Sequence, residues 1–178
     1  MSSAWRRMPQ PDIYQLNLAI YRRRDAIKSG PLTLASQVDG QVPLANRAGL
    51  GLYHKDTRFL SCWEMWLGGK RPISLFSTSR QNNVSQNDLT NAGMRVDGRR
   101  LPMHTIHLRV GRVIRGDLYQ RLRVINFNAH PVTLRLQMVF AADFADVFEV
   151  RGMRRPRRGR YLSPRIGTQS LEFGYVGR

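Results

Sequence analysis

From residue 59 onward, apolar and polar side chains alternate with a period of two, in short segments cut by turn-forming residues. Such alternation places apolar groups on one face of a strand and polar groups on the other. Ile106, Leu108 and Val110 alternate with Thr105, His107 and Arg109, and Leu118, Leu122 and Val124 share a face opposite Arg121 and Arg123. Val132, Leu134, Leu136, Met138 and Phe140 make the clearest series, against Thr133, Arg135 and Gln137. A strand is expected from Phe59 to Leu67, closed by a tight turn at Gly68-Gly69-Lys70, with Pro72 to Ser77 returning. Shorter strands are expected at Leu32–Ser36, after a break at Ser29-Gly30-Pro31, and at Thr168–Val176. Asp39-Gly40, Asp97-Gly98, Gly116-Asp117 and Asn128-Ala129-His130-Pro131 read as turns.

Three segments read differently. Residues 82–88 are polar and read as a loop or an exposed edge strand, and residues 152–165, with Gly and Pro among arginines, read as an exposed loop. Phe140, Phe144 and Phe148 are four apart, which fits a short helical turn over 143–149 with Asp143 and Asp146 as a pair resembling a capping box. Residues 1–12 read as a loose tail, and 13–21 fit either a strand or a helix. Many short strands with turn signals between them predict an all-β, antiparallel β-sandwich with little helix. The expected division is a tail or extra strand over 1–30 and one β-sandwich domain over 31–178.

A chain of 178 residues suffices for one domain with a real core. Its lone cysteine, Cys62, admits no intramolecular disulfide and reads as a small buried hydrophobe in the run Phe59–Trp63. No apolar run approaches the ~18 residues of a membrane span. The N-terminus has no apolar stretch behind its arginines, so a cytoplasmic location is expected. The net charge of +17 invites a nucleic-acid-binding reading. Its distribution argues for a plainer one: besides the clusters at 22–24 and 151–160, others sit at alternating strand positions, such as Arg121, Arg123 and Arg135, as on a solvated sheet. Nucleic acid is therefore not the expected partner.

Two runs concentrate charge among aromatics: Gly51-Leu52-Tyr53-His54-Lys55-Asp56-Thr57-Arg58-Phe59-Leu60-Ser61 and Ala142-Asp143-Phe144-Ala145-Asp146-Val147-Phe148-Glu149-Val150-Arg151-Gly152. Ionic groups beside large apolar ones need partners. His54 and Asp56 have the residue types of a base and its orienter, but no nucleophile is tied to them, and an Asp56–Arg58 salt bridge or turn cap is the simpler reading. Asp143, Asp146 and Glu149, spaced by three, would share a broad helical face; they suit cation binding or glycoside hydrolysis less well than ion pairing beside Arg151. Motifs for zinc, P-loop or dinucleotide chemistry are missing, and neither metal nor cofactor is expected. In a strand, Trp63 and Trp66 point to opposite faces, one toward the core and the other available to stack on a sugar.

The two runs, with Leu122-Arg123-Val124-Ile125-Asn126-Phe127 between them, resemble the N-terminal domain of bacterial and archaeal glycogen debranching enzymes of the amylo-alpha-1,6-glucosidase type over residues 30–178. The resemblance implies a β-sandwich packed against a C-terminal (α/α)6 barrel that carries the catalytic carboxylates. On that basis the chain is expected to be an accessory module, not a hydrolase by itself, with a catalytic barrel as partner and α-glucan as a further contact. The alternatives are a basic nucleic-acid-binding β domain, driven by Arg22–Arg24 and the arginines of 151–160, and an independent glycoside hydrolase. Tyr53, His54, Asp56, Arg58, Phe144, Asp146, Phe148, Glu149 and Arg151 are the expected interface or binding residues. A core would not take their charges, nor a free surface their aromatics. With that surface uncovered, self-association is expected.

Overall fold

The computed structural model describes residues 24–44, 46, 48–80 and 82–177. The tail expected at 1–12 and the ambiguous segment at 13–21 lie outside them. Among the described residues nearly all regular structure is strand, and every strand pair is antiparallel.

The first sheet has the order β1 (Arg24–Ser29), β2 (Leu32–Gln37), β3 (Gly51–His54), β4 (Thr57–Leu60) and β13 (Ala145–Asp146). The second has the order β11 (Asp117–Asn126), β10 (Ile106–Arg115), β7 (Val84–Thr90) and β6 (Ile73–Arg80). Three two-stranded units complete the fold: β5 (Cys62–Leu67) with β12 (Leu136–Ala141), β8 (Met94–Val96) with β9 (Arg99–Leu101), and β14 (Arg160–Ile166) with β15 (Leu171–Val176). A single helical turn, α1 (Val147–Val150), follows β13. The arrangement is the expected all-β sandwich.

The alternating residues of β10 explain where the core sits. Ile106, Leu108, Val110 and Ile114 point inward and are buried. Ile106, Leu108 and Val110 join Met65 and Leu67 of β5, Leu89, Met94 and Leu101 in one apolar cluster. Ile114 joins Ile27, Leu34, Val42, Leu50 and Trp63 in a second. The long central strand thus packs on Met65 and Leu67 of β5 near one end, and on the five-stranded sheet together with Trp63 near the other.

Several expected elements take a different form. The strand expected over Phe59–Leu67 bends at Ser61 into β4 and β5, which belong to different sheets. The segment after the Gly68-Gly69 turn does not return along β5; β6 pairs with β7, and β5 pairs with β12. In the series from Val132 to Phe140, ladder pairing begins only at Leu136, because its partner β5 ends opposite it at Leu67. The exposed loop expected over 152–165 holds β14 from Arg160 onward, with a bulge after Leu162 that accommodates Pro164.

The largest departure is at 82–88, expected as a loop or exposed edge. From Val84 onward it lies in β7, an interior strand of the second sheet, and Ser85, Asn87 and Asp88 are buried. Asn87 and Asp88 find partners on other strands and loops: the Asn87 amide donates to the Val38 carbonyl at 2.7 Å and to Ser77 Oγ at 3.0 Å. Asp88 accepts from Arg109 Nε at 2.7 Å and from Gln86 Nε2 at 2.9 Å, with His107 Nε2 at 3.1 Å. Buried polar groups are tolerated when hydrogen-bonded, so polarity here marks an internal network and not solvent. Asn91, also buried, binds the Pro102 carbonyl at 2.7 Å and accepts from the Thr105 and Ile106 N–H groups at 2.9 and 2.8 Å, which ties the loop before β10 to the end of β7.

Arg112 points inward from β10 and is 4% exposed. Its guanidinium lies 4.4 Å from the Trp63 ring centroid, donates to Gln120 Oε1 at 2.8 Å, and donates to the Gly40 carbonyl. Burial lowers its pKa from the ordinary value to about 10, against the charge of Asp39, so it stays protonated at neutral pH. Removing this side chain leaves a cavity beside Trp63 and an unpaired Gly40 carbonyl. Arg112→Ala is expected to destabilise the fold by about 3 kcal/mol, measured as a shift in the urea midpoint with an unchanged slope.

Candidate functional site

The two charged, aromatic runs are neighbours in space. The 51–61 run forms the β3–β4 hairpin, with Lys55 in the left-handed region at φ 52° in its turn. The 142–152 run supplies β13, which adds to β4 through Ala145 opposite Arg58 and Asp146 opposite Thr57. The Val147 N–H donates to the Asp56 carbonyl at 2.8 Å and extends this contact into α1.

Arg58 and Asp143 bind the runs together in a two-pronged ion pair, Nε to Oδ1 at 3.1 Å and Nη2 to Oδ2 at 2.5 Å. Nη1 donates to the Leu50 carbonyl at 3.2 Å. The expected Asp56–Arg58 bridge does not form; Asp56 lies exposed in the hairpin turn, while Arg58 points inward from β4. Burial lowers the basicity of Arg58, but the bonds from Asp143 outweigh it and hold its pKa above the ordinary value. Gly51 leaves room for this side chain: a Cβ there would lie 2.5 Å from Arg58 Cδ, at a φ of 152°. Burial likewise pushes the Tyr53 hydroxyl up, and it donates to the Gly49 carbonyl at 2.8 Å.

Phe144 takes φ 45°, a strained conformation for an aromatic residue. That break ends the helical spacing expected over 143–149, and the helix starts at Val147. The capping box is made by Asp146 and Glu149, not by Asp143 and Asp146: Asp146 Oδ1 accepts from the Phe148 N–H at 2.7 Å, and Glu149 Oε2 from the Asp146 N–H at 3.0 Å. The strained backbone sends the Phe144 ring into a cluster, stacked on Tyr175 at 5.4 Å and edge-on to Phe59 at 5.6 Å. Tyr161 packs on the Tyr175 ring at 5.3 Å and donates to the Asp143 carbonyl at 2.7 Å. The β14–β15 hairpin is thereby fastened to the signature runs. Arg158 closes the arrangement, donating to Glu149 Oε1 at 2.7 Å and to Tyr161 Oη at 2.9 Å.

Of the residues singled out from sequence, Arg58, Tyr53, Phe144, Asp146 and Glu149 thus belong to one bonded unit. His54 and Asp56 are exposed at the hairpin tip, where the His54 ring meets Phe59 edge-on at 6.2 Å. Phe148 is 56% exposed, and Arg151 lines an open groove with Arg24, Tyr53 and Val147. The three acidic residues do not share a face: Asp143 is held by Arg58, Asp146 caps α1, and Glu149 is held by Arg158 and the cap. Among the described residues no group of three or more His, Cys, Asp or Glu side chains is placed to hold a metal ion, and no helix is long and apolar enough to cross a membrane. The pairing of Asp143 with Arg58, and the part played by Tyr161 and Tyr175, escape sequence reasoning, because no spacing rule links residues so far apart.

A family model describing the N-terminal domain of some glycogen debranching enzymes matches residues 27–178, which takes in both runs and the hairpin fastened to them. The chain belongs to this family. No curated protein matches it. In this debranching-enzyme N-terminal domain, then, the signature charges serve to join β4, β13, α1 and β14–β15. The match begins inside β1, which pairs along its full length with β2.

Two outcomes follow for stability. Asp143→Ala leaves the largely buried Arg58 guanidinium unpaired and is expected to cost about 2 kcal/mol, between the values for exposed and fully buried pairs. The double change Arg58→Met with Asp143→Leu is expected to recover most of that loss, measured by urea unfolding of all variants. The second concerns acid. Burial pushes the Glu149 carboxyl up, but the Asp146 N–H and Arg158 outweigh it and hold it below the ordinary carboxylate range. Burial also pushes Asp88 up, and Arg109, Gln86 and His107 outweigh it in the same way. A lowered folded-state pKa stabilises above the unfolded pKa of about 4 and loses that contribution as pH falls through the folded value. The melting temperature should therefore fall steadily on acidification below about pH 4, and Asp88→Asn should flatten that decline.

Proposed function

We propose that this domain is a non-catalytic module that docks on the catalytic domain of a debranching enzyme, an (α/α)6 barrel, through the surface built by its two signature runs. Tyr53, His54, Asp56, Arg58, Phe144, Asp146, Phe148, Glu149 and Arg151 make up or underlie that surface. The observation that carries the reading is a rigid scaffold with uncovered aromatics: Phe148 is 56% exposed and Phe59 41%, on a backbone fixed by the Arg58–Asp143 pair and the capping box. Exposed aromatic side chains beside arginines are the composition of an interface. The engagement of Asp143, Asp146 and Glu149 in structural bonds favours an accessory role over hydrolysis by this chain, since a glycosidase needs two carboxyl groups facing one bond. Contact with α-glucan at the rim of this surface would use the same exposed rings for stacking.

The test supplies the barrel domain of a family member in trans and measures association by sedimentation. Binding is expected with the unaltered chain, and Phe148→Ser is expected to weaken it about tenfold without lowering the melting temperature. Association unchanged by Phe148→Ser and by Arg151→Glu would reject this face. Purified chain incubated with branched dextrin should release no glucose.

A further inference from the structure

A different face of the molecule carries an inference that does not depend on the docking surface. Gly111 lies in the middle of β10, paired on both sides, opposite Arg121 of β11 and Gln86 of β7, without a bulge in either ladder. Its φ lies outside the left-handed region, and a Cβ added to it would meet nothing within 4 Å. Neither backbone conformation nor internal packing requires glycine here. Glycine weakens a strand interior and often marks a place where a ligand approaches the backbone closely.

The surroundings add a second unfavourable feature. Two residues along the same face, Arg109 and Arg123 stand directly opposite each other. Like charges in that position repel. The buried Asp88 carboxylate binds Arg109 at 2.7 Å and Gln86 at 2.9 Å, and so orients both beside Gly111. Among the described residues, Arg121 and Arg123 are in no ion pair. The result is an open groove of about 530 Å³ with bare backbone as its floor and Gln86, Arg109, Arg121 and Arg123 as its walls.

We propose that the groove over Gly111 is a phosphate-binding site, in which Arg121 and Arg123 grip the oxyanion and Arg109 and Gln86, positioned by Asp88, complete its hydrogen bonds. Guanidinium forks match phosphate oxygens, and an excess of unpaired positive charge selects an anion over a neutral sugar. The missing side chain at 111 lets the ligand settle against the strand. The phosphate is either free or carried on a sugar as an ester.

Calorimetric titration of the intact chain tests this at about 0.1 M ionic strength, where the Debye length is about 10 Å and diffuse attraction is screened. Inorganic phosphate and glucose 6-phosphate are the two probes, with maltohexaose and a duplex oligonucleotide as controls. Saturable binding of one phosphate probe is expected, and the tighter of the two tells whether the site takes free phosphate or the ester. Arg121→Gln should weaken it about tenfold or more with an unchanged circular dichroism spectrum. Gly111→Val should abolish it while raising the melting temperature, since no internal contact needs the glycine. Absence of saturable phosphate binding, binding indifferent to Arg121→Gln, a lowered melting temperature for Gly111→Val, or binding of the oligonucleotide alone would each overturn the proposal.

Discussion

The ion pair between Arg58 and Asp143 is the contact on which the organisation of this domain turns. It spans 85 positions of the chain and joins a strand of the first sheet to the segment that leads into the helix and the last hairpin. A guanidinium with its side chain 11% exposed is costly unless its donors are met. Here each of its three nitrogens makes a bond, two to the carboxylate and one to the Leu50 carbonyl. The pair has a geometric consequence beyond its energy: with Asp143 fixed, the chain must turn sharply, and Phe144 adopts its positive φ. That turn aims the ring at Phe59 and Tyr175 and brings the β14–β15 hairpin against the sheet.

A second cation does comparable work between the sheets. Arg112 has no carboxylate within ion-pairing distance among the described residues; it rests on the Trp63 ring and on two neutral acceptors. This explains why the loop after β2 dips into the interior. The Gly40 carbonyl meets Arg112, the Val38 carbonyl meets Asn87, and Gln41 accepts from the Met65 N–H at 2.9 Å. Each of these bonds links the loop to a different strand. The interior is therefore an apolar core in two clusters with a polar seam beside it, and the seam sets how β2, β5, β7 and β10 are placed relative to one another.

The exposed features divide into two kinds. Around the signature runs, exposure falls on Phe59, Phe148, Met153 and Tyr161, above a scaffold in which Arg58, Asp143, Asp146, Glu149 and Arg158 are engaged. On the outer face of the second sheet, exposure falls on arginines around a strand glycine. The first suits a protein surface and the second an anion, and the large net positive charge reflects both the latter and the arginine-rich loop at 151–160.

Much of the fold was legible because its signals are local. The period-two pattern marks β10 and β11, the Gly116-Asp117 and Asp97-Gly98 turns close the hairpins they predict, and the opposite parity of Trp63 and Trp66 separates a buried ring from a half-buried one. Residue type within a run also marked the two signature segments and their family. Tertiary structure alone decided which segments pair. Asn87 and Asp88 read as exposed because a polar side chain is ordinarily at the surface, yet partners arriving from Val38, Ser77 and Arg109 let them be buried. Arg58 reads as a partner of nearby Asp56, but Asp56 sits in the exposed turn while Arg58 points inward, so the carboxylate that meets it comes from a remote segment. Periodicity and turn chemistry act over a few residues and can be read from the chain, whereas the satisfaction of buried charge depends on what the fold brings within hydrogen-bonding distance.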